Sequence, residues 1–158
     1  MLWLLLALSA PGVFEANGVS LGAPESAVKA SFPSAHCRAL EWTSLAADRR
    51  CDDSRASIAG VRARVTFYLK KDAVEAFDVR FYTQDLEPLL GELRKRYGKP
   101  ASEGREKIER EGKRPRELYR ARWQANGAQA VLTTEPGKHR ISLLASRGNF
   151  EEEIYRVR

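Results

Sequence analysis

Residues 18–22 spell Gly-Val-Ser-Leu-Gly. In the G-x-S-x-G pattern a serine hydroxyl is presented on a sharp strand-to-helix turn for acyl transfer. In chain order His139 could act as the base for Ser20, which makes a small serine hydrolase one reading of the chain. Position argues against it. A nucleophile elbow belongs at the centre of a parallel sheet, after several strands have been laid down. Ser20 instead follows the expected processing site by only about ten residues. His139 itself falls in a Pro-Gly-Lys-His turn among basic residues. Ser20 is therefore read as a turn residue between a short strand and a helix.

Carboxyl chemistry is no better supported. Glycoside hydrolysis needs two carboxyls in a cleft, one with a raised pKa. Glu75, Asp78, Glu106, Glu109, Glu111 and Glu117 nearly all have Lys or Arg for neighbours, which predicts lowered pKa values and solvated ion pairs. No phosphate-binding glycine loop and no zinc signature occurs. Asp52-Asp53 offers two carboxylates to calcium, too few for a site. No cofactor or metal is expected.

The cysteines Cys37 and Cys51 are the only two in the chain. An even count in an exported chain favours a disulfide, and the closed loop of about 15 residues would contribute about 3 kcal/mol in the chain-entropy picture. His36 beside Cys37 raises a metal site or a nucleophilic thiol as alternatives. Two Cys and two His without a CxxC make a poor ligand set, and adjacent side chains in extended chain point apart.

The remaining chemistry lies in arginines at alternate positions. In 61–69, Val61, Ala63, Val65, Phe67 and Leu69 fall on one side, and Arg62, Arg64, Thr66 and Tyr68 on the other. Phe77, Val79 and Phe81 then alternate with Asp78, Arg80 and Tyr82, while Arg120 and Arg122 alternate with Tyr119, Ala121 and Trp123. Period-two alternation marks an antiparallel sheet with one buried and one wet face. In a continuous sheet Arg62, Arg64, Arg80, Arg120 and Arg122 share the wet face with Tyr68 and Tyr82. Arginine and tyrosine on a rigid surface are the residue types that anchor protein interfaces. A solvated face kept from aggregating by its charge is the plainer alternative.

The elements that must position these residues follow from the same periodicities. Lys70-Lys71-Asp72 forms the turn of the central hairpin. Leu86, Leu89, Leu90, Leu93 and Tyr97 make a helical apolar stripe, capped by Asp85, with Arg94, Lys95 and Arg96 in its last turn and Gly98 after it. A shorter helix runs from Pro24 to Phe32 with Val28 and Phe32 toward the core. Val13 to Val19 is expected as a strand, Cys37 to Trp42 as another, and Leu45 to Arg55 as a polar loop. In the second half, strands over 105–111 and 116–124 flank a Gly112–Pro115 turn, Asn126-Gly127 makes a hairpin to 130–134, and Glu135–Lys138 turns into a strand through Ile141, Leu143 and Ala145. Asn149 caps a final short helix with Phe150, Ile154 and Val157 at helical spacing.

Length and charge bound the rest. The 158 residues are 43% hydrophobic and 30% charged, enough for a single cored domain over 11–158. The opening MLWLLLALSA has the length of a signal-peptide apolar region and is too short to span a bilayer. Ala7 and Ser9 suit cleavage, although no basic residue precedes the run, as if the start lay further upstream. With 1–10 as a signal peptide the mature chain is periplasmic or secreted. No cysteine follows closely enough for a lipid anchor, so no stable membrane attachment is expected. The net charge of +6 suits an acidic partner. Nucleic acid is disfavoured for an exported chain with no aromatic RNA-binding signature.

A GVSLG opening, a short helix, two cysteines around a polar loop, an alternating hairpin and a helix ending in RYGKP together resemble small exported bacterial proteins of unknown function. Their architecture is similar to the helix-then-sheet modules of the β-lactamase inhibitor protein and the small outer-membrane assembly lipoprotein. The resemblance implies an antiparallel, twisted sheet with helices on one side and an open face for a protein partner; no functional residue is implied by it. The fold expected is thus α+β, with two main helices packed on one face of the sheet, a tandem helix-then-strands duplication and a short C-terminal helix. The function expected is a non-enzymatic exported binding module whose arginine face engages an acidic protein of the cell envelope. An anionic envelope polymer is the other candidate ligand for the same arginines.

Overall fold

Four hairpins among the described residues turn on two residues, and in each both central residues have positive φ: Asn17-Gly18, Ala59-Gly60, Lys71-Asp72 and Asn126-Gly127. That is the conformation a type I′ turn demands, and its twist matches that of the strands it joins. In a computed structural model describing residues 14–135 and 140–156, these turns set the frame. The proposed signal segment, His139, most of the Glu135–Lys138 turn and Val157 lie outside the described residues.

A two-stranded ribbon, β1 (Glu15–Ala16) and β2 (Val19–Ser20), precedes the seven-residue helix α1 (Glu25–Ser31). Four strands follow as a meander: β3 (His36–Ala39), β4 (Arg49–Ile58), β5 (Val61–Lys70) and β6 (Ala73–Phe81). The helix α2 (Leu86–Tyr97) leads to β7 (Ser102–Ile108), β8 (Arg116–Ala125), β9 (Ala128–Thr134) and β10 (Ile141–Arg147), a second meander, and α3 (Phe150–Glu153) ends the described chain. The meanders join edge to edge in one eight-stranded antiparallel sheet of order β3-β4-β5-β6-β10-β9-β8-β7.

The expected α+β class is corrected. The described residues are 49% strand and 17% helical, so the molecule is mostly β, and α2 is its one substantial helix rather than one of two. The helix expected at 24–32 shrinks to two turns, because Pro24 sits at the cap and Phe32 leaves helical geometry with φ −129°. The polar loop expected at 45–55 is largely strand: β4 pairs Cys51 with Phe67 and Asp52 with Thr66, and a register shift between Asp53 and Ala56 breaks the apolar alternation that would have revealed it. The strand expected at 13–19 is folded back on itself at Asn17-Gly18.

One face of the sheet, the inner face, carries the core. Val65, Phe67, Phe77, Val79, Phe81, Leu132, Ile141 and Leu143 are all at most 1% exposed. Leu89, Leu90 and Leu93 of α2 and Val28 of α1 complete the same cluster. Tyr97 closes it, edge-on to both Phe14 and Trp123 at 5.2 and 5.8 Å, with its hydroxyl donated to the Glu15 carbonyl at 2.9 Å. Burial drives the Tyr97 pKa upward. Trp123 donates Nε1–H to the carbonyl of Gly98 at 2.8 Å, tying the end of α2 to β8. Asp85 precedes α2, but its carboxylate makes no capping bond; the Thr83 hydroxyl instead accepts from the Asp85 N–H.

Cys37 and Cys51 are direct cross-strand partners on β3 and β4, joined by a disulfide. The bond holds β3 onto the sheet edge, and a disulfide is at home outside the reducing cytoplasm. Among the described residues no helix is long and apolar enough to cross a membrane.

Candidate functional site

The second face, the outer face, is where strand alternation sends the arginines. Register places them in rows running across the sheet. One row is Arg64–Arg80–Ser142–Thr133–Arg120, and the next is Thr66–Asp78–Leu144–Val131–Arg122. Arg62 lies beside Tyr82, whose N–H donates to the Arg62 carbonyl at 3.0 Å. Because β6 and β10 pair, all five arginines named from the sequence share this face with Tyr68 and Tyr82. They do not form one cluster. Arg80 and Arg120 are three strand spacings apart, about 14 Å between backbones.

Between them lies a shallow concavity of about 1100 Å³. Leu144, Val131, Ser142 and Thr133 form its floor, and Arg80, Arg120 and Arg122 stand around it with Tyr82, Arg116 and Arg140. Tyr82 is 45% exposed. Arg120 reaches Glu106 at 3.2 Å and Arg116 reaches Glu135 at 3.1 Å. The Arg120 Nε–H is buried without an acceptor, so this guanidinium is only partly satisfied. Arg62, Arg64, Arg80 and Arg122 have no carboxylate within ion-pair distance among the described residues.

The expectation of a wholly bare outer face is corrected. α3 and the 40–47 segment roof one end of it, burying Phe150, Ile154, Ala46, Ala47 and Ala76 against Tyr68, Leu144, Leu40 and Trp42. Trp42 Nε1–H and the Ser44 hydroxyl both donate to the Ile154 carbonyl, at 2.9 and 2.8 Å. Tyr68 is accordingly not a free anchor. Its ring packs on Phe150 at 5.3 Å, the Arg50 guanidinium lies 5.8 Å from its centroid, and burial raises its pKa. The cause is the apolar pair Phe150 and Ile154, which needs somewhere to be buried and finds the outer ends of β5, β6 and β10.

Two carboxylates on this face behave oppositely. Asp52 bonds Arg50 through both oxygens at 2.8 and 2.9 Å and accepts from Thr66 at 2.7 Å. Burial pushes its pKa up, but these bonds outweigh burial and leave it below the usual carboxylate range. The Asp78 carboxylate makes no hydrogen bond among the described residues. Burial beside Leu144 raises its pKa, against the through-space pull of Arg80 and Arg64. The lowered pKa expected for Asp78 from its arginine neighbour is thus corrected. Glu75, Glu106 and Glu117 do form ion pairs, with Arg147, Arg120 and Arg105.

Ser20, the nucleophile of the hydrolase reading, is not presented on an elbow. Ser20 lies in β2, the second strand of a small antiparallel hairpin, rather than on a strand-to-helix turn in a parallel sheet. Glu25, Cys37 and Cys51 are the one grouping with metal-ligand spacing among the described residues, and its sulfurs are consumed in the disulfide. Asp52 and Asp53 point to opposite faces, Asp53 accepting from the Arg55 N–H at 2.9 Å, so they do not converge on a cation.

Arg116 and Arg140 join the site without having been singled out. Arg116 was legible: it shares the period-two alternation of Arg120 and Arg122. Comparison with protein-family models, with curated proteins and with solved structures finds no match to this chain.

Proposed function

We propose that this chain is a non-enzymatic, exported binding module, working in the periplasm or outside the cell, that engages an acidic protein partner through its outer face. In this reading it needs no cofactor, nucleic acid or membrane anchor. The observation that carries it is the set Arg62, Arg64, Arg80 and Arg122, none of which has a carboxylate partner among the described residues. Guanidinium groups that are not spent on the fold remain available to steer and hold an anionic surface. The disulfide supports placement outside the cytoplasm.

The test is affinity capture from a cell-envelope extract with the mature protein and an Arg62→Glu, Arg80→Glu, Arg122→Glu variant. A partner with an acidic surface should be retained by the wild type and lost by about tenfold or more in the variant. The substitutions at the exposed Arg62 and Arg80 should each leave stability within about 0.5 kcal/mol. Equal capture by both proteins removes the arginine face from the reading. Steeply salt-dependent binding with no protein selectivity would point to an anionic envelope polymer.

A further inference from the structure

The chain already lays one segment of its own on the outer face, and that segment shows what the face accepts. α3 reads Phe-Glu-Glu-Glu, followed by Ile154. Its apolar members go down: Phe150 and Ile154 are each 5% exposed. Glu151 borders the concavity, on the side of α3 that faces the arginines. Beyond α3 the same surface repeats these ingredients. Leu144 and Val131 offer a half-buried apolar floor, and Arg80 on β6 and Arg120 and Arg122 on β8 bound it at about 14 Å between backbones.

We propose that the concavity seats a short acidic segment of the partner protein that carries an apolar anchor, a second segment of the α3 type lying alongside α3. The anchor rests on Leu144 and Val131, and carboxylates on either side of it reach Arg80 and the Arg120–Arg122 pair. Charge complementarity selects the sign of this segment. The floor selects the anchor, since diffuse charge steers association while a buried apolar side chain supplies most of the holding energy. The proposal rests on the acidic-partner reading and says which part of that partner makes contact.

The probe is a synthetic peptide of sequence NFEEEIYR, copied from residues 149–156, titrated into 15N-labelled protein. Two companions are NAEEEAYR, which keeps the charge and removes both anchors, and polyglutamate. The expected result is shifts confined to the outer face of β6, β8, β9 and β10. Affinity should fall about tenfold on removing the anchors and again in an Arg80→Glu, Arg122→Glu protein. Equal binding of both peptides overturns the anchored seat and leaves the acidic-partner reading standing. No binding by any of the three probes overturns both. Shifts at Phe150 and Trp42 in place of the concavity mean that the peptide displaces α3, which overturns a second seat. So does a concentration-dependent dimer lost on the same charge reversal, since a second copy would then be the occupant. Binding to anionic phospholipid vesicles with no peptide selectivity likewise overturns it.

Discussion

At the roofed end of the outer face Arg50 is held by both oxygens of Asp52 and lies over Tyr68, which in turn packs beneath Phe150. At the open end Arg64 and Arg80 stand side by side in register, near the Asp78 carboxylate but with no ion pair to it or to any other carboxylate among the described residues. The roofed end draws on β4 and β5 and the open end on β5 and β6, from residues placed by the same alternation. What separates them is cover. Where α3 and the Trp42 segment exclude water, charges must be paired, because an unpaired buried charge is expensive. Where nothing lies above the strands, water solvates the guanidinium groups and pairing is unnecessary. An arginine on a sheet thus serves the fold or a partner according to what the chain lays over it.

The largest test of that contrast is to remove the roof. Phe150→Ala should cost about 3 kcal/mol, read by urea denaturation, with Trp42 emission shifting to the red as its cover loosens. A loss near zero would mean that the roofed end is no more structural than the open one. Asp52→Asn is next, at about 1.5 kcal/mol at neutral pH, the scale of a hydrogen bond to a charged group. The folded-state pKa of Asp52 lies below its unfolded value, so its contribution is present above the unfolded pKa and is lost as pH falls through the folded one. Wild type and variant should therefore converge in acid. A constant gap from neutral pH to acid would show that the Arg50 pair contributes nothing.

Asp78→Asn is the smallest change and has the opposite sign. Here the folded pKa lies above the unfolded value, so the favourable state is fully present below the unfolded pKa and is lost as pH rises through the folded one. At neutral pH the variant should match or slightly exceed the wild type in stability, and the advantage should vanish in acid. A clear destabilisation at neutral pH would mean that Asp78 is paired after all, which would erase its difference from Asp52.

Local pattern carried the central hairpin and the antiparallel sheet. Val65, Phe67 and Phe77, Val79 alternate cleanly, and Asn126-Gly127 names its own turn. β4 escaped because Arg49-Arg50-Cys51-Asp52-Asp53-Ser54 is polar on paper and its alternation is reset at the bulge. β7 was read three residues late because all of Ser102–Ile108 is exposed, which leaves no buried face to mark its start. The arginines could be assigned to the wet face from their spacing alone. That Phe150 would settle on Tyr68 could not be read, since helical spacing shows that a helix has an apolar side and does not say what it meets. The pKa of Asp78 was equally hidden: Leu144, which dries its surroundings, belongs to a strand far along the chain.

The pairing of β6 with β10 joins Phe81 to Ile141 and Ala76 to Ser146, and it is the only junction in the large sheet between strands not consecutive in sequence. Every other ladder joins strands consecutive in sequence, so each meander draws on more local contacts than this junction, which needs the second half of the chain. The hydrogen bonds that bring Arg80 and Arg120 to face each other across the concavity are therefore expected to form last. Severing the chain between α2 and β7 would leave two contiguous pieces, each with a bare strand matched to the other, and only their reunion would rebuild the arginine-rimmed hollow.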